Sequence, residues 1–252
     1  MAAAYPGAVS EPDQTLTAPA ERAPVRWGLG DAAVGWLIAQ VGGVIMLSVV
    51  LALSGYDADS VDDMPLGWVA LAQTGLWAGL GGVPWVVARF KGNGIVADFG
   101  LRIRWEDIGA GVGAGLGAHL LTYLLYLPLF WISDLTNDDL EEQARELTDR
   151  AHSPVSIALL VVIVGIGAPI FEEIFYRGLV LRSLENRFGD RWAVGLSAVL
   201  FGVAHLQWLQ LPALVVLGVI LALLVQRSGR LGPAIATHVV FNMVTVVVQV
   251  TS

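Results

Sequence analysis

Two adjacent carboxylates and an arginine interrupt an otherwise apolar stretch in the second half of the sequence. They lie in the segment GAPIFEEIFYRGLV, residues 167–180, and are Glu172, Glu173 and Arg177. On a helix, Glu173 and Arg177 are four residues apart and share one face, so they can pair and pin neighbouring helices together. Glu172 is rotated from Glu173 by about 100° and has no such local countercharge. A carboxylate in a low-dielectric interior suits general acid or base work, so Glu172 is the candidate for chemistry.

Partners for Glu172 occur in two later apolar segments. The segment FGVAHL contains His205, and the segment HVVFN contains His238 and Asn242. His238 and Asn242 are four residues apart and project from one helix face, a spacing that suits two donors aimed at one oxygen. A single intramembrane histidine or asparagine more often bridges two helices, but one shared cavity would satisfy all of these polar groups. We therefore expect them to meet Glu172 in such a cavity.

The segments that carry these residues are apolar enough to cross a membrane. The chain has 252 residues, of which 56% are hydrophobic and 14% are charged, and its mean hydropathy is +0.68. This composition is typical of an integral membrane protein. We predict an all-α, polytopic membrane helix bundle in the cell membrane, with about seven transmembrane helices. The predicted helices cover residues 31–53, 66–88, 106–132, 154–181, 191–208, 211–226 and 231–250.

Depth along these helices tests whether the polar residues can meet, once the orientation of the bundle is set. With a cytoplasmic N-terminus, eleven of the fourteen lysines and arginines fall on the cytoplasmic side, where such residues are retained. Counting about 1.5 Å per residue from the cytoplasmic helix ends places Glu172 about 14 Å deep, His238 about 11 Å deep and His205 about 21 Å deep. His205 joins the others only if its helix is tilted or starts late, or if a kink at Pro169 closes the gap.

Four regions follow one another along the chain. Residues 1–26 are rich in alanine, proline, glutamate and threonine, and we expect them to form a disordered tail. Residues 27–132 are predicted to form a variable membrane region with three helices, residues 133–153 an acidic extracytoplasmic loop, and residues 154–250 the membrane region with the polar motifs. The loop contains seven acidic residues and is interpreted as a solvated segment that accounts for much of the formal charge of −8.

Composition excludes several classes of function. The chain has no cysteine, so a thiol nucleophile, a disulfide and a thiolate metal site are excluded. Its 14 lysines and arginines form no long run, which argues against a nucleic-acid partner. The run GAGVGAGLGA, residues 109–118, lacks the preceding strand that a phosphate-binding loop requires. We expect instead that Gly109, Gly113 and Gly117 let two helices approach closely.

The polar motifs, in their order along the chain, resemble those of a known protease family. They are Glu172-Glu173-x-x-x-Arg177, Phe201-x-x-x-His205 and His238-x-x-x-Asn242. On successive apolar segments they are similar to the CPBP family of intramembrane proteases, which includes the CAAX prenyl endopeptidases of the Rce1 type and the bacterial bacteriocin-immunity (Abi) proteins. The resemblance covers roughly residues 153–246. It implies a membrane endopeptidase that cuts a membrane-anchored or lipid-proximal protein or peptide.

The resemblance also implies a role for each polar residue. Glu172 would activate the hydrolytic water, and His205 would help to hold that water. His238 and Asn242 would stabilise the oxyanion of the tetrahedral intermediate. Stabilising an oxyanion in a water-poor cavity is usually a large catalytic effect.

Two further features of the site follow from the same resemblance. Glu173 and Arg177 would support the site and shape it. The family has also been described as metalloproteases, and zinc, if bound, would be held by Glu172, His205 and His238. We favour a metal-free water activated by the glutamate.

Two other functions remain open at the level of the sequence. The chain could be a catalytically idle membrane adaptor or bacteriocin-immunity protein that uses the same polar cluster for binding. A proton-coupled transporter that uses Glu172 as its relay is disfavoured, because no internal repeat is visible. Prenylated CAAX substrates are associated with the family, but no residue of this chain indicates such a substrate.

Overall fold

Helices make up most of the chain that the structure describes. The structure is a computed structural model, and it describes residues 24–57, 59–132, 136, 145 and 147–251. No strand occurs within these residues, which confirms the all-α prediction. The helices are α1 (Leu29–Ser54), α2 (Leu66–Lys91), α3 (Ile95–Asp98), α4 (Trp105–Ile132), α5 (Pro154–Phe188), α6 (Asp190–Ala204), α7 (Leu211–Ser228) and α8 (Gly232–Thr251).

Two of the predicted regions fall largely outside the described residues. They are residues 1–23 of the expected tail and six acidic residues of the expected loop, namely Asp134, Asp138, Asp139, Glu141, Glu142 and Glu146. Ahead of α1, the backbone N–H of Arg26 donates to the carbonyl of Lys91 over 2.8 Å. The segment that leads into α1 is therefore attached to the end of α2.

Five helices are long and apolar enough to cross a membrane, by length and composition: α1, α4, α5, α7 and α8. The protein is therefore a multi-pass membrane protein. The predicted count of seven is not confirmed. Helix α2 has 26 residues, but its glycines, tryptophans and Gln73 keep its hydropathy below that of the other long helices. Helix α6 has 15 residues and spans about 22 Å, short of a hydrocarbon core of about 30 Å.

Small residues bring α1 and α2 into close contact. A Cβ atom on Gly75 would lie 2.2 Å from the carbonyl oxygen of Gly42, and one on Gly79 would lie 2.3 Å from the Cα atom of Ala39. Helix α2 also packs against α5, where Trp77 stacks on Phe171 with ring centroids 5.0 Å apart. This stack holds the residue immediately before Glu172.

Glycines also bring α4 against α8, but they are not the glycines that the sequence predicted. A Cβ atom on Gly111 would lie 2.5 Å from the side chain of Ala236, and one on Gly115 would lie 2.7 Å from that of Val240. Open space surrounds the predicted positions, Gly109, Gly113 and Gly117. A glycine at every second position creates two faces with a four-residue spacing, and the sequence alone does not show which face meets the neighbour.

Helix α5 is irregular on both sides of the carboxylate pair. It begins as an α-helix, widens into a π-helical segment at Val161–Gly167, returns to α at Ala168–Glu172, and widens again at Glu173–Val180. Pro169 has no N–H, so it cannot donate to a carbonyl one turn earlier. Such segments often occur at functional sites and leave carbonyls available to other donors.

The contact between α4 and α8 makes a first prediction. In Gly115→Leu the new side chain overlaps with Val240. We therefore expect the free energy of unfolding to fall by about 1–3 kcal/mol or more, and the monodisperse fraction of the protein to decrease. Gly113→Leu is the matched control, because its side chain enters open space two residues away. Size-exclusion chromatography and thermal unfolding in detergent measure both variants. Equal stability of the two would contradict this packing.

Candidate active site

Two fully buried charges on α5 connect four helices. The Arg177 Nη1 atom lies 3.1 Å from Glu173 Oε1, and neither side chain is exposed to solvent. The Arg177 Nη2 atom donates to the Gly218 carbonyl on α7 over 3.3 Å. The guanidinium also lies 4.3 Å from the ring centroid of Phe201 on α6. Arg177 therefore fixes α5 against both α6 and α7.

His238 on α8 completes this buried cluster. Its Nδ1 atom lies 3.0 Å from Glu173 Oε1, and its Nε2 atom lies 3.8 Å from Glu172 Oε2. An ionised carboxylate only accepts hydrogen bonds, so the proton of the imidazole is assigned to Nδ1. Nε2 is thereby directed at Glu172. The arginine and the histidine share one oxygen of Glu173, which places them on the same side of that carboxylate.

His205 faces Glu172 from the end of α6. Its Nδ1 atom lies 2.7 Å from the carbonyl oxygen of Phe201, and its Nε2 atom lies 3.9 Å from Glu172 Oε2. A carbonyl only accepts, so Nδ1 again carries the proton. One carboxylate oxygen is thus flanked by two imidazole nitrogens at 3.8 and 3.9 Å. These separations are too long for direct hydrogen bonds and suit a bridging water.

The depth difference between the histidines and Glu172 does not prevent their meeting. The sequence placed His205 several ångströms deeper than Glu172 unless its helix is tilted or starts late, or a kink at Pro169 closes the gap. In the structure α6 runs from Asp190 to Ala204, so it does not start late, and it ends directly before His205. The Nε2 atom of His205 nevertheless lies 3.9 Å from Glu172 Oε2.

Asn242 lies one turn after His238 on α8 and bonds to α5. Its Nδ2 atom donates to the carbonyl of Val164 over 2.9 Å. Val164 belongs to the first π-helical segment of α5, where carbonyls are available to side-chain donors. One amide proton of Asn242 is therefore used to anchor α8 to α5.

The three candidate zinc ligands do not form a recognisable metal centre. Within the described ranges, no group of three or more histidine, aspartate or glutamate side chains is arranged to hold a metal ion. The donor types of Glu172, His205 and His238 are ones that zinc uses. The three side chains therefore have donor types that suit zinc but not the arrangement of a zinc site.

Two side chains near the site carry contacts that sequence reasoning did not assign. His119 on α4 donates from Nε2 to the carbonyl of Phe241 over 2.7 Å and stacks on its ring. Tyr126, also on α4, donates its hydroxyl to the carbonyl of Leu209 over 2.5 Å. Polar side chains inside an apolar helix were the available signal, but their partners are backbone atoms that no motif marks.

Comparisons with known proteins concern the second half of the chain. Residues 154–244 match the family described as type II CAAX prenyl endopeptidase Rce1-like. Over 94 residues the chain is 28% identical to a protein of Bacillus subtilis (strain 168) named "Putative membrane peptidase YdiL". That match covers 37% of this chain and 38% of the relative. No solved structure matches the chain. Residues 154–244 contain the six polar residues of the sequence motifs, namely Glu172, Glu173, Arg177, His205, His238 and Asn242.

The buried ion pair makes a second prediction. Glu173→Gln keeps the shape of the side chain but leaves Arg177 buried without its countercharge, and we expect a loss of stability of about 3–5 kcal/mol. The matched control is Asp62→Asn, because Asp62 pairs with Arg150 at 3.4 Å on an exposed surface. Thermal unfolding in detergent compares the two. A Glu173→Gln protein as stable as the control would show that the pair does not hold the helices.

Proposed function

We propose, from the membership of residues 154–244 in the Rce1-like family, that the protein is an intramembrane endopeptidase. It hydrolyses a peptide bond in a membrane-anchored or lipid-proximal substrate. The observation that carries this proposal is the position of Glu172 Oε2 between the Nε2 atoms of His205 and His238, at 3.9 and 3.8 Å. A water bound there would contact Glu172 as its base and His205 as its orienting group, with His238 beside both.

Glu172 acts as the general base. His205, with its proton on Nδ1, accepts a hydrogen bond from the water at Nε2 and orients it. As the water oxygen attacks the carbonyl carbon of the substrate, one water proton passes to the Glu172 carboxylate. The same proton then moves to the leaving amine nitrogen when the C–N bond breaks, which returns Glu172 to its ionised form.

His238 donates to the developing oxyanion, and this requires a proton on Nε2 as well as on Nδ1. Glu173 Oε1 lies 3.1 Å from Arg177 Nη1, and Glu172 Oε2 lies 3.8 Å from His238 Nε2. Transfer of a proton to Glu172 during attack removes the charge of that carboxylate as the oxyanion forms, so a negative group lies beside His238 throughout the step.

Asn242 supplies a second donor to the oxyanion. Its position one turn from His238 lets both side chains approach one oxygen. The bond from its Nδ2 to the carbonyl of Val164 fixes the orientation of the amide before substrate binds. A preorganised donor stabilises developing charge without reorganisation during the reaction.

The substrate class follows from the location of the site and from the family. Glu172 and His205 lie within the membrane bundle, so the scissile bond must be brought to the bilayer by an anchor. The matching family is described as CAAX prenyl endopeptidases, and CAAX-like processing is our proposal for this chain. If zinc takes part, Glu172, His205 and His238 are the residues that would hold it.

Cleavage by the Glu172 variant is the third prediction. Purified protein in nanodiscs is mixed with a library of membrane-anchored peptides, and products are read by mass spectrometry. We expect Glu172→Gln to lower kcat by about 10²–10⁴-fold, because the water loses its base. His205→Ala is also expected to lower kcat, because the hydrolytic water is no longer oriented. Each protein is assayed with and without a zinc chelator.

Stability measurements accompany this assay as its control. Glu172 is partly exposed, and its two neighbouring imidazole nitrogens are 3.8 and 3.9 Å away, too far for direct hydrogen bonds, so Glu172→Gln should unfold at nearly the wild-type temperature. Cleavage that survives in the folded variant would contradict the proposal. Inhibition of wild type by the chelator would show that a metal takes part in the reaction. No cleavage by folded wild type would favour the idle adaptor.

The amide of Asn242 makes the fourth prediction. Asn242→Ala removes one oxyanion donor and should lower kcat by about 10²–10³-fold with little change in KM. Thr245→Ala is the matched control, since Thr245 is a polar residue on the same helix whose hydroxyl donates to the carbonyl of Phe241. Steady-state kinetics on the best peptide measure both. A decrease of the same size in the control would assign the effect to the helix instead of the amide.

A further inference from the structure

A cavity of about 370 Å³ lies between α1 and the first half of α2. Most of its walls are aliphatic, and one of the lining residues, Val44 on α1, is 66% exposed. Helix α1 is long and apolar enough to cross a membrane, so a side chain that is so exposed on it contacts lipid chains. The cavity is therefore open to the bilayer, and an acyl chain can enter it from the side.

Two glutamine side chains line this apolar cavity. Gln40 on α1 and Gln73 on α2 are both partly buried, and neither forms a hydrogen bond within the part of the chain that the structure describes. An amide without a partner is unfavourable in apolar surroundings, so a molecule that occupies the cavity must offer hydrogen-bonding atoms. Gln73 lies about 10 Å along α2 from its first residue, Leu66. The occupant is therefore apolar in part and has a polar group at that depth.

Arg150 closes the cavity at the end where α1 stops and α2 begins. Its Nη1 atom donates to the carbonyl of Val61 over 3.2 Å, and its Nη2 atom donates to Asp62 Oδ1 over 3.4 Å. The Nε atom is buried and has no hydrogen-bond partner among the described residues. A guanidinium with two long bonds and one unused donor suits a phosphate, which accepts hydrogen bonds from two N–H groups at once.

A second cavity, of about 500 Å³, adjoins the first and carries mostly negative charge. The two share Asp62, Met64 and Arg150. The titratable side chains of the second cavity are three exposed carboxylates and two basic groups: Asp62, Asp63, Asp149, Arg150 and His152. An excess of carboxylates repels a headgroup with net negative charge and attracts an ammonium group. A headgroup that carries both a phosphate and an ammonium group therefore matches the charges around Arg150.

We propose that the two cavities bind one phospholipid with a primary-amine headgroup, of the phosphatidylethanolamine type. Arg150 binds the phosphate, and the carboxylates of Asp62 and Asp63 accept hydrogen bonds from the ammonium group. Gln73 donates to an ester carbonyl, and an acyl chain fills the apolar cavity between α1 and α2. A choline headgroup has the same charge but no N–H to donate, and a glycerol headgroup has no cation for the carboxylates.

This lipid site is separate from the proposed endopeptidase function. Among the described residues that line the two cavities, none belongs to the polar motifs around Glu172. The site can therefore be tested by lipid binding alone, and neither result depends on whether the protein cleaves peptides.

Native mass spectrometry of the purified protein in detergent measures the lipid selectivity. Phosphatidylethanolamine, phosphatidylcholine and phosphatidylglycerol with the same acyl chains are titrated one at a time. We expect phosphatidylethanolamine to bind about 10- to 100-fold more tightly than the other two, the range that one hydrogen bond to a charged group supplies. Asp62→Asn combined with Asp63→Asn should remove the preference over phosphatidylcholine and strengthen binding of phosphatidylglycerol. Asp59→Asn is the matched control, because Asp59 lies in the same connection but does not line either cavity.

Filling the apolar cavity tests the position of the acyl chain and leaves the charged groups in place. Ala72 lines the cavity, so Ala72→Phe should weaken binding of phosphatidylethanolamine by about tenfold or more, because the side chain takes the place of buried methylene groups. Ala78→Phe, at an exposed position of the same helix, is the matched control and should bind the lipid as wild type does. Unfolding temperatures are measured for both variants.

Two results would overturn the lipid site. Equal affinity of wild type for the three lipids would show ordinary lipid around the bundle and no selective headgroup site. Unchanged binding in a folded Ala72→Phe protein would show that the acyl chain does not occupy this cavity. If Ala72→Phe does not fold, the double variant of Asp62 and Asp63 decides, since both carboxylates are exposed.

Discussion

The ion pair between Glu173 and Arg177 is the constraint on which the rest of the site depends. Both side chains are fully buried, so each would be very unfavourable without the other. Their remaining contacts extend to three other helices: Arg177 reaches Gly218 on α7 and the ring of Phe201 on α6, and Glu173 reaches His238 on α8. Two adjacent turns of one helix thereby set the positions of the elements that carry both histidines. Because the charge must stay compensated, these helices cannot shift independently.

Glu172 is available for chemistry because its neighbour takes the structural role. A rotation of about 100° per residue directs the two carboxylates to different surroundings. Glu173 is enclosed between Arg177 and His238, while Glu172 remains partly exposed between two imidazole nitrogens. His238 belongs to both environments, since Nδ1 contacts Glu173 and Nε2 faces Glu172. Its two nitrogens therefore couple the supporting charge to the candidate base.

Residue spacing correctly predicted a contact within a single helix. It failed where a neighbouring helix or an irregular backbone determines the contact. The pairing of Glu173 with Arg177 follows from their four-residue separation, and the structure contains it. The predicted glycine face of α4 was wrong, because the packing of α8 determines which of two equivalent faces is in contact. Counting residues along α6 did not predict that His205 lies beside Glu172, because the relative depth of two residues also depends on how their helices are tilted. The anchoring of Asn242 to Val164 depends on a π-helical segment that the sequence does not signal.

Backbone carbonyls explain why several polar side chains lie around this site. In a bilayer an irregular backbone is tolerated only when its polar groups are satisfied within the protein. Five carbonyls near the cluster, each on a different element, accept a hydrogen bond from a side chain. Those of Val164 and Leu209 belong to irregular backbone, and those of Phe201, Gly218 and Phe241 lie in helices. Their donors are, in the same order, Asn242, Tyr126, His205, Arg177 and His119. A polar residue in an apolar helix is therefore a weaker indication of catalysis than its rarity suggests, because some bond to the backbone of a neighbouring element. What distinguishes Glu172 and His205 is that both side chains remain partly exposed and face each other.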